Sequence, residues 1–183
     1  NVDKEVIDSG ENLKIIANYG AGFNNVDVDY AREKNIDVTN TPKASTAATA
    51  ELTFGLVLAI ARRIVEGDKL SRTKGFDGWA PLFFRGREVS GKTLGIIGFG
   101  EIGSAVAKRA KGFDMDILYT GPHQKKEKER EIGAKYVDLD TLLEHSDFIT
   151  INAAYNPDIH HMIDSEQFKK MKSTAYLVNA GRG

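Results

Sequence analysis

The stretch that most constrains the fold is TLGIIGFGEIGSAVAKRAKG, residues 93–112. Leu94, Gly95, Ile96 and Ile97 make a short apolar run that reads as a buried strand, and an alanine-rich segment of helical spacing follows residue 103. Between them stands GFGEIG, a G-x-G-x-x-G fingerprint in the strand-to-helix context that dinucleotide binding requires. Each glycine has its own steric reason. Gly98 permits a tight turn, Gly100 lets the backbone approach a pyrophosphate, and Gly103 lets the helix pack closely on its strand. The phosphates would then meet a helix N-terminus, where free amides and the dipole favour negative charge.

The rest of the chain alternates in the same way. Residues 14–18 (KIIAN) and 36–39 (IDVT) read as strands around a helix over 27–35, so one βαβ unit precedes the fingerprint. After it, strands are expected at 115–119, 135–137, 147–151 and 175–179, and helices at 124–132, 139–145 and 165–171. Strands separated by helices pair in parallel through right-handed crossovers, which predicts an α/β fold with a doubly wound parallel sheet of Rossmann type. Residues 46–65 form the longest helical pattern. It is apolar nearly all round and is therefore expected to lie buried between two bodies. From Gly67 to Arg87 the periodicity fails, although Phe76, Trp79, Phe83 and Phe84 are many aromatics for a loop. They suit either a satellite apolar cluster or an arm packed on a second subunit.

Composition removes several classes of function. With 25 Lys and Arg against 26 Asp and Glu, dispersed along the chain, there is no basic footprint for nucleic acid. The absence of cysteine excludes disulfides and thiolate metal sites and fits a cytoplasmic protein; no metal site is expected. The longest apolar run, residues 52–61, is ten residues and far short of a membrane span, so a soluble protein is expected. One motif misleads. Residues 86–93, GREVSGKT, match the G-x-x-x-x-G-K-[ST] triphosphate loop, but that loop must follow a strand and open a helix. Here irregular sequence precedes it and a strand follows. The motif is rejected.

Several further segments, in order, resemble the D-isomer-specific 2-hydroxyacid dehydrogenases: AGFNNVD at 21–27, NTP at 40–42, TAE at 49–51, GKTLGIIGFGEIG at 91–103, SDF at 146–148, MK at 171–172 and LVNAGRG at 177–183. Within that family, ILYTG at 117–121 is similar to the glyoxylate/hydroxypyruvate reductases. The resemblance implies two domains. Residues 1–50 would be part of a flavodoxin-like substrate domain, and residues 51–183 an NAD(P)-binding domain lacking its C-terminal part, with substrate held between them. It also implies hydride transfer between a nicotinamide cofactor and a small 2-keto or 2-hydroxy acid, in a homodimer.

By the same resemblance the backbone amides of Ala21 and Gly22 anchor the substrate carboxylate, and Arg182 is the catalytic arginine, its guanidinium binding that carboxylate and polarising the carbonyl. Glu101 and Ile102 supply amides under the pyrophosphate, and Ala153, Ala180 and Arg182 line the nicotinamide half. The acid that reads an NAD ribose at the end of the second strand is absent. Thr120, Gly121, Pro122, His123 and Lys125 stand there instead, which favours NADP(H), with NAD(H) possible. The family's proton-donating histidine matches none of His123, His145, His160 and His161, so the chain is expected to be an incomplete and inactive piece of a longer enzyme. The rival readings are a dinucleotide-sensing corepressor of the same fold and phosphoglycerate dehydrogenase.

Overall fold

The computed structural model describes residues 1–73, 75, 78, 80–154 and 159–181. The chain divides into two compact units, Asn1–Thr46 and Ala47–Gly183.

The first unit is a small βαβ layer. Helix α1 (Lys4–Asp8) opens on Asp3, whose carboxylate accepts the Val6 amide. Strand β1 (Ile15–Ala17), helix α2 (Val28–Glu33, capped by Asp27) and strand β2 (Asp37–Thr39) follow, with β1 and β2 parallel and Ile16 opposite Val38. The core is Ile7, Ala31 and Ile36. The Lys34 ammonium and the Tyr30 hydroxyl both bond Asp8 and hold its carboxyl below the usual range, which ties α1 to α2. Sequence pattern alone did not mark α1; its single capping aspartate was the available signal.

The second unit begins with helix α3 (Thr46–Ala61) and helix α4 (Ile64–Thr73). The expected single helix over 46–65 is broken at Arg62–Arg63, where Arg63 adopts φ +56°. Contrary to the periodicity reading, helix then resumes through Gly67 to Thr73, supported on its exposed surface by Arg63–Glu66 and Asp68–Arg72 ion pairs. Ala50, Phe54, Val57 and Ala61 are buried against the sheet, whereas Leu52, Leu56 and Ile60 on the other side are exposed, because within this unit only one side of α3 meets the sheet. Of the four aromatics between 67 and 87, Phe76 and Trp79 lie outside the described residues; the Phe83 and Phe84 rings lie 6.0 Å apart in a turn.

Strand β3 (Thr93–Ile97), helix α5 (Glu101–Lys111), strand β4 (Asp116–Thr120), helix α6 (Lys126–Ile132), strand β5 (Ala134–Tyr136), helix α7 (Leu139–His145), strand β6 (Phe148–Ile151), helix α8 (Ser165–Lys170) and strand β7 (Tyr176–Asn179) complete the fold. All strand pairs are parallel, in the order β5-β4-β3-β6-β7. The order reverses between β3 and β6, where a doubly wound sheet opens its ligand crevice beyond the strand C-termini.

Alternation along the strands builds two cores. Leu94 and Ile96 join Val106, Ala107 and Ala110 of α5 and the buried side of α3 on one face. Ile97 and Ile149 meet Leu142 and Leu143 of α7 on the other. Each fully buried Leu or Ile contributes roughly 1.5–3 kcal/mol relative to exposure. Among the described residues, no helix is long and apolar enough to cross a membrane.

Candidate functional site: a dinucleotide cradle at the sheet switch point

The turn after β3 is shaped by what each glycine faces. Gly98 has φ +92°, and a Cβ there would stand 2.5 Å from the Ala153 nitrogen, so the turn lies directly on the chain leaving β6. Its amide donates to the Thr120 carbonyl at 3.0 Å, joining the turn to the end of β4. At Gly103 a Cβ would collide with the Gly98 carbonyl oxygen, so α5 can approach the turn this closely only with glycine. Gly100 is the opposite case: a Cβ would meet no protein atom within 4 Å. The protein therefore fills the space at Gly98 and Gly103 and leaves it open at Gly100. Helix α5 starts there without a side-chain cap, so its first-turn amides are directed at open space with the positive end of the dipole behind them.

The predicted flanking residues sit around this opening. Glu101 is the first residue of α5, and its carboxylate accepts the Lys128 ammonium at 2.9 Å; Lys128 also reaches the Ser104 hydroxyl at 3.0 Å. Ile102 is half-buried beside the core. Ala153 abuts Gly98, and the Ala180 amide donates to the Ile151 carbonyl at 3.0 Å, which places Ala180 at the same end of the sheet. Arg182, the catalytic candidate, lies outside the described residues.

The loop after β4 is braced from below. Tyr119 is fully buried, and its ring stacks on Phe99 of the fingerprint with centroids 4.0 Å apart. Its hydroxyl accepts the Lys125 amide and donates to the Glu129 carboxylate, both at 2.7 Å. Burial, with help from Glu129, pushes the phenol up to about 12. The Tyr136 hydroxyl donates to the Gly121 carbonyl at 3.0 Å, so the loop from Thr120 to Lys125 is held at three points. Thr120 is half-buried at the strand end; His123 and Lys125 are exposed. Asp116, the acid of this strand, is at its far end, and Glu129 is engaged by Tyr119 and Gln124.

In the first unit, side-chain amides shape the loop of Ala21 and Gly22. Asn40 donates to the Ala21 carbonyl at 2.8 Å and Asn18 to the Gly22 carbonyl at 2.9 Å. The two carbonyls are thus committed, while the Ala21 and Gly22 amides make no hydrogen bond among the described residues. A pair of adjacent free amides is the arrangement that receives an anion.

Two features escaped the sequence reading. Asn18 and Asn40 pin the loop, and their signal was an asparagine beside each turn. Asn152, between β6 and Ala153, carries a side-chain amide whose two polar atoms are buried without a partner. Nothing in its local sequence marks that burial. Of the four histidines, His145 contacts the Thr141 carbonyl at 2.9 Å, His160 and His161 stack on each other, and His123 is exposed. No group of three or more His, Asp or Glu converges among the described residues.

A parallel five-stranded sheet wound on both faces, with a glycine cradle at its switch point, defines a Rossmann-type dinucleotide-binding domain. Comparison with known proteins carries this further. The profile of the "D-isomer specific 2-hydroxyacid dehydrogenase, NAD binding domain" matches residues 54–183. The chain belongs to the D-isomer specific 2-hydroxyacid dehydrogenase family. It is 90% identical over all 183 residues to a 2-hydroxyacid dehydrogenase-type protein of Staphylococcus haemolyticus, and spans 58% of that relative's length. Among solved structures, a protein of Thermus thermophilus aligns with a TM-score of 0.94 at 39% identity, covering the whole of this chain and 57% of the other. The D-lactate dehydrogenase of Aquifex aeolicus, complexed with NAD and lactic acid, aligns with a TM-score of 0.88 at 34% identity, over the whole of this chain and 54% of the other.

Proposed function

We propose that the chain forms the cofactor-binding part of an oxidoreductase that moves a hydride between NADP(H) and a small 2-keto or 2-hydroxy acid. The observation that carries this reading is the contrast at the fingerprint, closed at Gly98 and Gly103 and open at Gly100. The pyrophosphate would lie against Gly100, on the first-turn amides of Glu101 and Ile102. Ala153 and Ala180 would border the nicotinamide through backbone atoms. The bound cofactor supplies or takes the hydride.

The protein's own groups do the rest. The Ala21 and Gly22 amides would hold the substrate carboxylate, since their carbonyls are already tied back by Asn40 and Asn18. Arg182 would bind the same carboxylate and draw electron density toward the carbonyl oxygen. NADP(H) is supported over NAD(H) by the loop after β4. It presents Thr120, His123 and Lys125 and no unengaged acid at the position that would repel a 2′-phosphate. For the substrate, the similarity at residues 117–121 supports glyoxylate and hydroxypyruvate; the likeness to D-lactate dehydrogenase makes pyruvate the competing acid.

Residues 1–50 would be part of the substrate-binding domain, and the exposed apolar side chains of Leu52, Leu56, Ile60, Ile64 and Val65 support pairing of two copies in a cytoplasmic homodimer. The test is fluorescence titration with NADPH and NADH. Binding with NADPH the tighter ligand is the expected result; no binding of either, or a clear preference for NADH, overturns the corresponding part of the reading.

A further inference from the structure

The rejected triphosphate-loop motif leads to a different site. Within residues 86–93 four backbone amides are committed to protein acceptors. Arg87 donates to the Ala61 carbonyl, Gly91 to Phe113, Lys92 to Val89 and Thr93 to the Asp147 carboxylate. Their side chains are another matter. Arg85, Arg87 and Lys92 line a cavity of about 800 Å³ together with Arg62, Gly86 and Glu88.

Among the described residues four cations and one carboxylate line this cavity, in a chain whose overall charge is −1, so the local excess does not follow from composition. The side chains of Arg62, Arg85 and Arg87 make no hydrogen bond or ion pair among the described residues. Arg62 alone would be an ordinary cation at a helix C-terminus. Arg85 and Arg87 come from an extended segment with no such dipole, and their convergence on Arg62 needs another cause.

The backbone that brings them together is fixed and strained. Gly86 lies so close to α3 that a Cβ would stand 2.6 Å from the Ala61 carbonyl oxygen, and the Arg87 amide bonds that same oxygen at 2.7 Å. On the approach, Arg63 and Phe84 both hold positive φ, +56° and +55°, and the Arg63 guanidinium sits over the Phe84 ring at 4.2 Å. Two non-glycine residues in the left-handed region, clasping each other beside a cavity, are costly unless the surrounding structure uses the geometry. Arg63 is itself spent on Glu66 and leaves the other three arginines to the cavity.

We propose that this cavity is a second anion site, which takes the polyphosphate group of a small ligand through the guanidinium forks of Arg62, Arg85 and Arg87, with Lys92 adding charge. Arginine forks bind phosphate bidentately, and three guanidinium groups among the described lining residues suit a multiply charged anion. The volume suits a small molecule rather than a duplex. The described lining residues are charged side chains and one glycine, which suits a phosphate group. The site is separate from the glycine cradle: Lys92 precedes the first residue of β3 and Gly98 follows the last, so the two lie about 20 Å apart along the strand.

Calorimetric titration with sodium tripolyphosphate tests this, with ATP as a second arm. One bound ligand per chain is expected, with affinity falling about tenfold for Arg85→Ala and for Arg87→Ala, and less for Arg87→Lys, which keeps the charge and loses the fork. Both arginines are exposed, so the variants should keep the native melting transition and the native NADPH affinity. ATP binding no tighter than tripolyphosphate assigns the site to a free polyphosphate; tighter ATP binding assigns it to the tail of a nucleotide. Absence of binding overturns the proposal, as does affinity unchanged in both alanine variants. Displacement of tripolyphosphate by saturating NADPH also overturns it, since the anion would then occupy the glycine cradle. A lower oligomeric state in the variants at unchanged anion affinity would assign the cavity to contacts between copies and sink the idea.

Discussion

The Tyr119 ring stacks on Phe99 at 4.0 Å, so the second residue of the glycine fingerprint rests on the last buried side chain of β4. Because the Tyr119 hydroxyl also holds the Lys125 amide, the glycine turn and the loop after β4 share one support. Tyr119→Phe keeps the stack and removes the hydroxyl. Stability should fall by about 1 kcal/mol. The NADPH dissociation constant should rise several-fold while that for NADH changes little, because Lys125 and its neighbours lose their anchor. Equal effects on both cofactors would mean that Tyr119 acts on the turn alone.

Alkaline titration gives a second readout of the same phenol. Its ionisation is pushed up to about 12, whereas an unfolded tyrosine ionises near pH 10. The stabilisation that accompanies the neutral phenol is therefore full below about pH 10 and is lost as pH rises toward 12. In Tyr119→Phe, alkaline melting curves should be flatter over that window.

Gly100 and Gly103 should respond in opposite ways to the same substitution. Gly100→Val places its side chain in open space and should leave the melting temperature nearly unchanged while abolishing NADPH binding. Gly103→Val drives a side chain into the Gly98 carbonyl and should cost about 1–3 kcal/mol by overpacking. Paired thermal denaturation and fluorescence titration would show the separation. Retained binding in Gly100→Val would place the pyrophosphate elsewhere.

At the other end of the sheet Asp147 accepts the Thr93 amide at 3.0 Å and the Lys172 ammonium at 2.9 Å. Burial alone would raise this carboxyl, but those two partners outweigh it and hold it below the usual range. A depressed folded value means that the stabilisation is present above the unfolded pKa of about 3.9 and lost as pH falls below it. Asp147→Ala should cost about 2 kcal/mol at pH 7, and should flatten the acid limb of the stability curve. An unchanged acid limb would place the latch elsewhere.

The exposed cations after β4 give a discriminating double variant. His123→Ala with Lys125→Ala should weaken NADPH about tenfold and leave NADH within about twofold, since only the former carries a 2′-phosphate. Equal loss for both cofactors would point to a general field effect.

Much of the second unit was legible because its signals are local. Leu94–Ile97 before three spaced glycines needs no distant partner to be read as strand and turn, and Asp138 and Asp164 announce α7 and α8 by capping. The longest apolar pattern was misjudged for the complementary reason. Residues 46–65 have helical propensity throughout, yet Arg63 turns out of the helix to stack on Phe84, 21 positions later, and no window of sequence contains that contact. The burial of the Asn152 amide is likewise unmarked in its local sequence.

By itself, then, the sequence determined the alternation of strands and helices, the glycine turn and the uncapped helix start that follows it, since backbone sterics and periodicity act over a few residues. Tertiary structure alone decided which space around the turn stays open, which tyrosine braces the loop after β4, and that Arg62, Arg85 and Arg87 share one cavity. Those outcomes depend on side chains brought together from distant positions, where packing and charge act through space.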